Sequence, residues 1–499
     1  MKNNDATNAV DRRLFLGASA SALLGLPTAA IAQQAPMDES STVGQADAAA
    51  KPLTQVLAEF IAGFDLKTVP PPVIASARVA FIDTLGVALA GSREEVSDLI
   101  CAMVKEEGSA PAASIVGQSL RASPQLAALA NGVAAHAMDY DFTYISGQSI
   151  APVIPAILPV AESTGATPAE CVAAFIVGAE VAGRIVRANF KASAVGGWHT
   201  TGIVGAVAAA ASCARLLKLP ADKIPDAIGI ATSMASGIAV NYGTMTKPLH
   251  SGHAARDGVM AALLAARGFT AHVAAFEGTA GYFETFGRDL GVTVEPFKDL
   301  GRRYDLVSTG YSLKAYPSGG RGHTAIEAAL ELRDALQPRL SEIVSIECFL
   351  NRPSANRIGT TYPDTVEAAK FSAAYLIPYA LIHGAPRIPA FTEHALHDER
   401  VKALAKTVSA SADPALPEGT DNPARLKITL KDGKVFEARR DYATGSRRAP
   451  MSQAQIEEKF LDCAAQAVKE DVARKILAAL NALPDRPSFD DVWPLLRRS

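Results

Sequence analysis

The chain has 499 residues, 49% of them hydrophobic and 20% charged, with a formal net charge of −3. That length exceeds one ordinary domain, so two are expected, and the near-neutral balance without a basic block excludes the nucleic-acid-binding classes. Ala and Gly abound while aromatics make up only 6%, a composition suited to helices whose small residues let backbones approach. The five cysteines (Cys101, Cys171, Cys213, Cys348 and Cys463) are scattered and never spaced as C-x-x-C. Buried free thiols are expected, not a disulfide framework or a cysteine-built metal site.

In chain order, Arg12-Arg13-Leu14-Phe15-Leu16 precedes an Ala/Gly-rich run ending Ala30-Ile31-Ala32. This resembles a twin-arginine export signal over residues 1–32 with cleavage after Ala32, and it implies a periplasmic destination. The run is too short and too weakly apolar for a membrane span, so no membrane association is expected once the signal is removed. Free thiols without disulfides fit a protein that folds before export. Residues 33–51 read as a disordered lead-in.

From Leu53 to Phe286 the apolar spacing is helical, with helices predicted at 73–90, 126–138, 151–163, 169–188, 201–219 and 226–239. The stretch Gly243 to Gly258 then sets Lys247, His250, His253 and Arg256 within ten residues. Pro248 is expected to end the preceding structure and Ala255 to Ala266 to form the next helix. That would leave the cationic residues on a loop at a helix N-terminus, a setting for an anion. No strand–helix alternation and no Gly-rich phosphate loop occurs, which disfavours a dinucleotide-binding domain.

After Gly301 the pattern changes. A helix is predicted at 324–336, a strand at 342–349 and one helix over 366–381. Pro414 to Pro423 reads as a loop, and Leu426–Leu430 with Val435–Ala438 reads as a hairpin closed by Asp432-Gly433. Helical spacing returns at 452–483. The predicted fold class is mainly α: a large all-helical domain split in sequence (52–305 and 446–499), with an inserted smaller α+β lid domain at 306–445.

Three further polar clusters carry potential chemistry. His136-Ala-Met-Asp139-Tyr-Asp141-Phe-Thr143 sets two carboxylates beside a hydroxyl, which could hold a metal, do acid–base work or merely cap a helix end. In Gly197-Trp-His199-Thr-Thr-Gly202, Thr200 or Thr201 would cap the next helix, and His199 is either functional or a packed core residue. Lys314-Ala-Tyr316-Pro-Ser318-Gly-Gly-Arg321-Gly-His323 opens a helix with residues suited to an anionic ligand, or is a Gly-rich connecting turn.

Together with Ile82 to Ser92, Asn131 to His136, Glu277-Gly278, Lys370-Phe-Ser372 and Pro450-Met-Ser452, these motifs resemble the MmgE/PrpD family over nearly the whole mature chain. The resemblance implies a helical domain and an α+β lid with the site in the cleft between them. It also implies a homodimer, no organic cofactor, no obligatory metal, and a small di- or tricarboxylate as substrate. The family chemistry is carbanion-like at a carbon next to a carboxylate, so developing charge must meet preorganised cations. Lys247 is assigned that role, helped by His250 or Arg321. Asp139 would orient a partner or act as base, Thr143 would hydrogen-bond a carboxylate, and His199 and His323 are candidates for acid–base work. Tyr316, Ser318 and Gln148 join the expected substrate contacts.

Two departures stand out. The loop ends Gln148-Ser149-Ile150 where decarboxylase-like members carry a catalytic His, and Gln exchanges no proton at neutral pH. Gly319 stands where many members carry Cys. The expected activity is a cofactor-independent lyase, dehydration first. Alternatives are an isomerase, epimerase or decarboxylase of the same fold and, from another class, a non-catalytic carboxylate-binding protein.

Overall fold

A computed structural model describes residues 51–145, 147–188, 196–287, 291–419 and 421–498. The expected signal peptide (1–32) and all of the lead-in except Lys51 lie outside the described residues. Among the described residues the fold is mainly α, with one four-stranded sheet and two small ladders.

Buried apolar residues gather in two large clusters. One draws on Leu53 to Leu313 and again on Ile456 to Leu496; the other lies between Tyr316 and Ala438. In the first, helix α1 (Pro71–Gly91) starts on prolines, which the first turn tolerates because its N–H groups have no helical partner. It is long and apolar enough to cross a membrane, yet 72% of that window is buried inside the fold, as in a core helix.

Helix α4 (Thr246–Ala266) packs against both helix α2 (Pro124–Ala137) and helix α3 (Gly205–Leu216). The predicted 201–219 helix is broken at Val204, because Gly205 begins a new helix directly against Pro152.

The basic stretch departs from its sequence reading. Lys247, His250, His253 and Arg256 are not on a loop: all four lie within α4. Pro248 falls in the first helical turn, where its missing N–H costs nothing, so it does not terminate structure. The helix divides the four residues by face. Lys247 and His250, three apart, are buried together, while Arg256 turns to Asp257 at 2.9 Å.

Glycines set how closely α2 and α4 approach. A Cβ on Gly132 would meet Gly252 Cα at 2.7 Å, and one on Gly252 would meet the Leu129 carbonyl at 2.6 Å.

The second cluster is built on strands β1 (Ile343–Leu350), β2 (Val408–Ala412), β3 (Ala424–Leu430) and β4 (Val435–Arg440), in sheet order β2-β1-β3-β4. β2 joins β1 in parallel, and the other pairs are antiparallel. Alternate residues Ile346, Cys348 and Leu350 of β1 and Leu426, Ile428 and Leu430 of β3 are buried. They lie in one apolar cluster with residues of helix α5 (His323–Leu336) and helix α6 (Ala373–His383).

The single helix predicted at 366–381 is two, Val366–Ala369 and α6. The carbonyls at the break are taken by other segments: Lys370 O accepts from Gly319 N at 2.8 Å, and Phe371 O from Gly359 N at 2.7 Å. Helix α7 (Gln453–Ala464), opened by a capping box of Ser452 and Gln455, returns to the first cluster. Its Lys459 Nζ donates to Asp83 Oδ1 at 2.6 Å and to Tyr140 O at 2.9 Å, and Phe142 N donates to Asp83 Oδ2 at 3.2 Å. This buried pair holds the 140–142 backbone from two sides.

Gly252→Ala tests the close crossing. Helix propensity alone would add about 1 kcal/mol of stability. The new Cβ meets backbone, however, and overpacking costs about 1–3 kcal/mol, so a lower denaturation midpoint is expected in urea. A variant as stable as the parent would show that α2 and α4 separate freely.

Candidate active site

Helix α2 ends at Met138, and Asp139 turns the chain with φ of 51°, a left-handed conformation that Asp tolerates better than most residues. The residue is buried, 4% exposed. Lys247 Nζ reaches Asp139 Oδ1 at 2.6 Å from the first turn of α4. Lys314 Nζ lies 2.8 Å from the same oxygen and donates to the Asp139 carbonyl at 2.6 Å. Burial works to raise the Asp139 carboxyl, but the two ammonium groups overrule it and hold it well below the usual carboxylate range. Burial also lowers Lys314, with the Asp139 charge opposing.

Gln148 is the third partner. Its Nε2 donates to Asp139 Oδ1 and to Asp141 Oδ1, each at 3.0 Å. Of the two positions facing the family's missing His, Gln148 is therefore the one that meets the carboxylates. Thr201 does not cap a helix by its side chain; the N-cap is His199, and Thr201 Oγ1 donates to the Gln148 carbonyl at 3.0 Å.

Histidines surround this cluster. His136 Nδ1 lies 3.0 Å from the Asp141 carboxylate, so Nδ1 carries the proton and Nε2 presents a bare lone pair. His136 Nε2 is buried and has no hydrogen-bond partner among the described residues. The His136 ring stacks on His199 at 5.7 Å, and His199 Nδ1 lies 3.0 Å from His250 Nδ1. Burial lowers all three imidazoles, with Asp141 opposing at His136 and neighbouring positive charge assisting at the other two; His250 falls to about 4. At neutral pH the cluster is uncharged.

A cleft of about 420 Å³ opens onto His136, Asp139 and Lys247, with Lys370 and Phe371 forming part of the opposite wall. Lys370 is buried and donates to the Ala137 carbonyl at 3.2 Å. Arg93, Glu94, Glu367 and Glu393 also line the cleft, so cations and carboxylates both face it, and Lys247 is the lining cation paired with Asp139.

The structure thus brings together Asp139, Gln148, His199, Lys247 and His250. Thr143 instead sits in a two-residue ladder opposite Ser312. His323 begins α5, with Nε2 3.3 Å from the Ser318 carbonyl and its ring 5.1 Å from Tyr316. Burial, then the Lys314 charge, lowers His323 to about 3. Ser318 is fully buried, and Arg321 Nη1 donates to Asn422 Oδ1 at 2.9 Å.

The sequence set Asp141 among carboxylates available for acid–base work and Lys314 in a cluster suited to an anion, but it gave no individual role to His136, Lys314 or Lys370. The legible signal was a lone charged or imidazole residue in apolar sequence, as in Leu313-Lys-Ala and Ala369-Lys-Phe.

His136, Asp139 and Asp141 place ligand atoms within 4.8 Å of one another, a spacing a metal could use. The oxygens are already committed to two ammonium groups and an amide, a donor set that suits a charge-balanced organic site better than a divalent cation.

The chain is 28% identical to cis-aconitate decarboxylase of Homo sapiens over 458 residues, covering 90% of this chain and 95% of the relative. It is 26% identical to cis-aconitate decarboxylase of Aspergillus terreus, covering 91% and 97%, and 26% identical to 2-methylcitrate dehydratase of Cupriavidus necator, covering 83% and 92%. The MmgE/PrpD N-terminal domain matches residues 55–294 and the MmgE/PrpD C-terminal domain residues 316–485. With both halves matched in order around one buried cluster of carboxylates, lysines and histidines, the chain belongs to the MmgE/PrpD family.

Proposed function

We propose that this protein is a lyase that removes a proton next to a carboxylate of a small di- or tricarboxylate and expels water. The observation carrying the reading is the buried cation pair, Lys247 and Lys314, on Asp139 beside the unpartnered His136 Nε2. Asp139, held ionised, is a poor base; its work is to keep the ammonium groups in place. They stabilise the charge that develops on the substrate carboxylate as the proton leaves. His136, oriented by Asp141, is the base. His199 and His250 share one proton between their Nδ1 atoms, so one presents a bare Nε2 and the other an Nε2–H. The latter donates to the leaving hydroxyl. No step needs an organic cofactor or a metal.

Loss of carbon dioxide is the second reading, favoured by the named activity of the decarboxylase relatives. Isomerisation or epimerisation would need only the base and acid. A non-catalytic carboxylate binder would have no use for an oriented base. In the same reading, residues 52–305 and 446–499 form the body and 306–445 the lid over the cleft, in a homodimer. Export by the twin-arginine route to the periplasm completes the proposal. The mature terminus found by mass spectrometry should then begin at Gln33, and an intact Met1 in the periplasm would refute it.

Proton NMR in deuterated water, with a panel of di- and tricarboxylates, tests the chemistry. Deuterium should enter a carbon next to a carboxylate, with product distinguishing loss of water, loss of carbon dioxide and isomerisation. Lys247→Ala should reduce turnover by about 10²–10³-fold and His136→Gln by about 10²–10⁴-fold. Ligand-induced thermal stabilisation with neither exchange nor turnover would sink the enzyme reading.

The lowered imidazoles make a stability prediction too. In the unfolded chain each His takes up a proton below about pH 6.5, whereas folded His250 and His323 stay neutral until about 4 and about 3. The unfolded state therefore binds more protons in that window, and stability present above pH 6.5 is lost as pH falls. Tm should drop steadily from pH 7 to pH 5, less so in His323→Gln. A flat profile would contradict the neutral cluster.

A further inference from the structure

Lys370 stands apart from the other buried lysines. Lys247, Lys314 and Lys459 each hold a carboxylate, at 2.6, 2.8 and 2.6 Å. Lys370 is buried too, yet its ion-pair partner among the described residues, Glu94, lies 4.0 Å away. Its hydrogen bond among those residues runs to the Ala137 carbonyl at 3.2 Å, although an ammonium has three donors. A buried cation so loosely paired is weak support for the fold. Its place on the wall of the cleft suggests another use.

The backbone and the side chain of Lys370 belong to different parts of the fold. The residue follows the short helix Val366–Ala369, and Ala369 and Ala373 beside it lie in the second apolar cluster. The side chain leaves that cluster and ends at the C-terminus of α2, where carbonyls lack helical partners and the helix dipole favours a cation. Ala137 stands between His136 and Asp139, so this hydrogen bond bears on the turn that carries both. Two carboxylates work against it. Glu94, just before the helix Glu95–Glu107, and Glu367, within Val366–Ala369, line the same cleft. Burial raises the Glu94 carboxyl, the Lys370 charge opposes the rise and the Glu367 charge adds to it. Lys370 thus draws the 366–371 segment toward α2, while Glu94 and Glu367 repel each other.

We propose that Lys370 is a positioning residue and the latch of the cleft: its hydrogen bond to the end of α2 closes the 366–371 segment over the site, against the repulsion of Glu94 and Glu367, and sets His136 and Asp139 for reaction. The part played in the reaction rests on the lyase reading above; the closure does not.

Hydrogen exchange followed by mass spectrometry on the full protein without ligand tests the closure. Lys370→Met keeps an apolar stem and removes the charge. It should speed exchange about ten-fold over 136–142 and 366–371 and leave segments remote from the cleft unchanged. Where turnover is found, it should lower kcat by about 10- to 100-fold and change KM far less. Glu367→Gln removes the repulsion and should slow exchange in the same two segments about two-fold. A merely structural role predicts no such opposite pair of effects. If they appear while no carboxylate is turned over, the latch stands and the lyase reading fails. If turnover is found and Lys370→Met exchanges and reacts as the parent does, the latch is overturned and the lyase reading stands. Faster exchange along the whole chain with a lower Tm would show that Lys370 only supports the fold, and this also overturns the latch. Should Lys370→Met not fold, Glu367→Gln decides alone, and exchange unchanged or faster in both segments overturns the proposal.

Discussion

The Asp139 carboxylate beneath two ammonium groups is the interaction on which the rest of the site depends. Three segments far apart in sequence end on it: the turn after α2, the first turn of α4, and the segment carrying Lys314, 175 positions away. Each of these charges would be costly to bury alone, and removing one partner of a buried pair leaves the other uncompensated. The cluster therefore binds α4 and the Lys314 segment to one turn of chain. A second buried pair, Asp83 and Lys459, steadies the same loop from α1 and α7. The loop that carries the chemistry is thus held on both sides by charge.

Such a site needs close backbones as well as charges. Gly132 and Gly252 let α2 and α4 cross at a separation that any Cβ would widen, and this sets His136 of one helix near Lys247 of the other. The same close packing removes water from the imidazoles. Desolvation and neighbouring positive charge both keep the histidines neutral, the state in which they can accept or donate a proton at physiological pH.

The two departures from the family pattern have local physical accounts. Gln148 supplies a neutral amide between two carboxylates, where both of its hydrogens find acceptors. It holds the acids apart and takes no part in proton transfer, which leaves that work to His136, His199 and His250. At Gly319, a Cβ would lie 2.7 Å from Phe371 Cδ1. The Phe371 ring, near the Lys247 ammonium at 5.9 Å, occupies the space a side chain at 319 would need. The glycine and the phenylalanine position thus form one packing arrangement.

Much of the secondary structure was legible from the sequence because its causes are local. The Asp432-Gly433 turn with alternation on either side specifies the β3–β4 hairpin, and helical apolar spacing locates α1, α2 and α5 to within a few residues. Lys247 and His250 were legible as part of a basic run in Ala-rich sequence, whereas Asp139 and His199 became candidates through the family motifs that contain them. It misjudged places where distant backbone intervenes: the helix break at Lys370, whose carbonyl is claimed by Gly319, and Pro248, whose position inside α4 depends on where the first turn begins. Only the tertiary structure decided that Lys314 joins Asp139, that Asp141 orients His136, and that Thr143 pairs with Ser312 in a short ladder. Those relations are set by side-chain distances across folded segments, and no local periodicity or propensity records them.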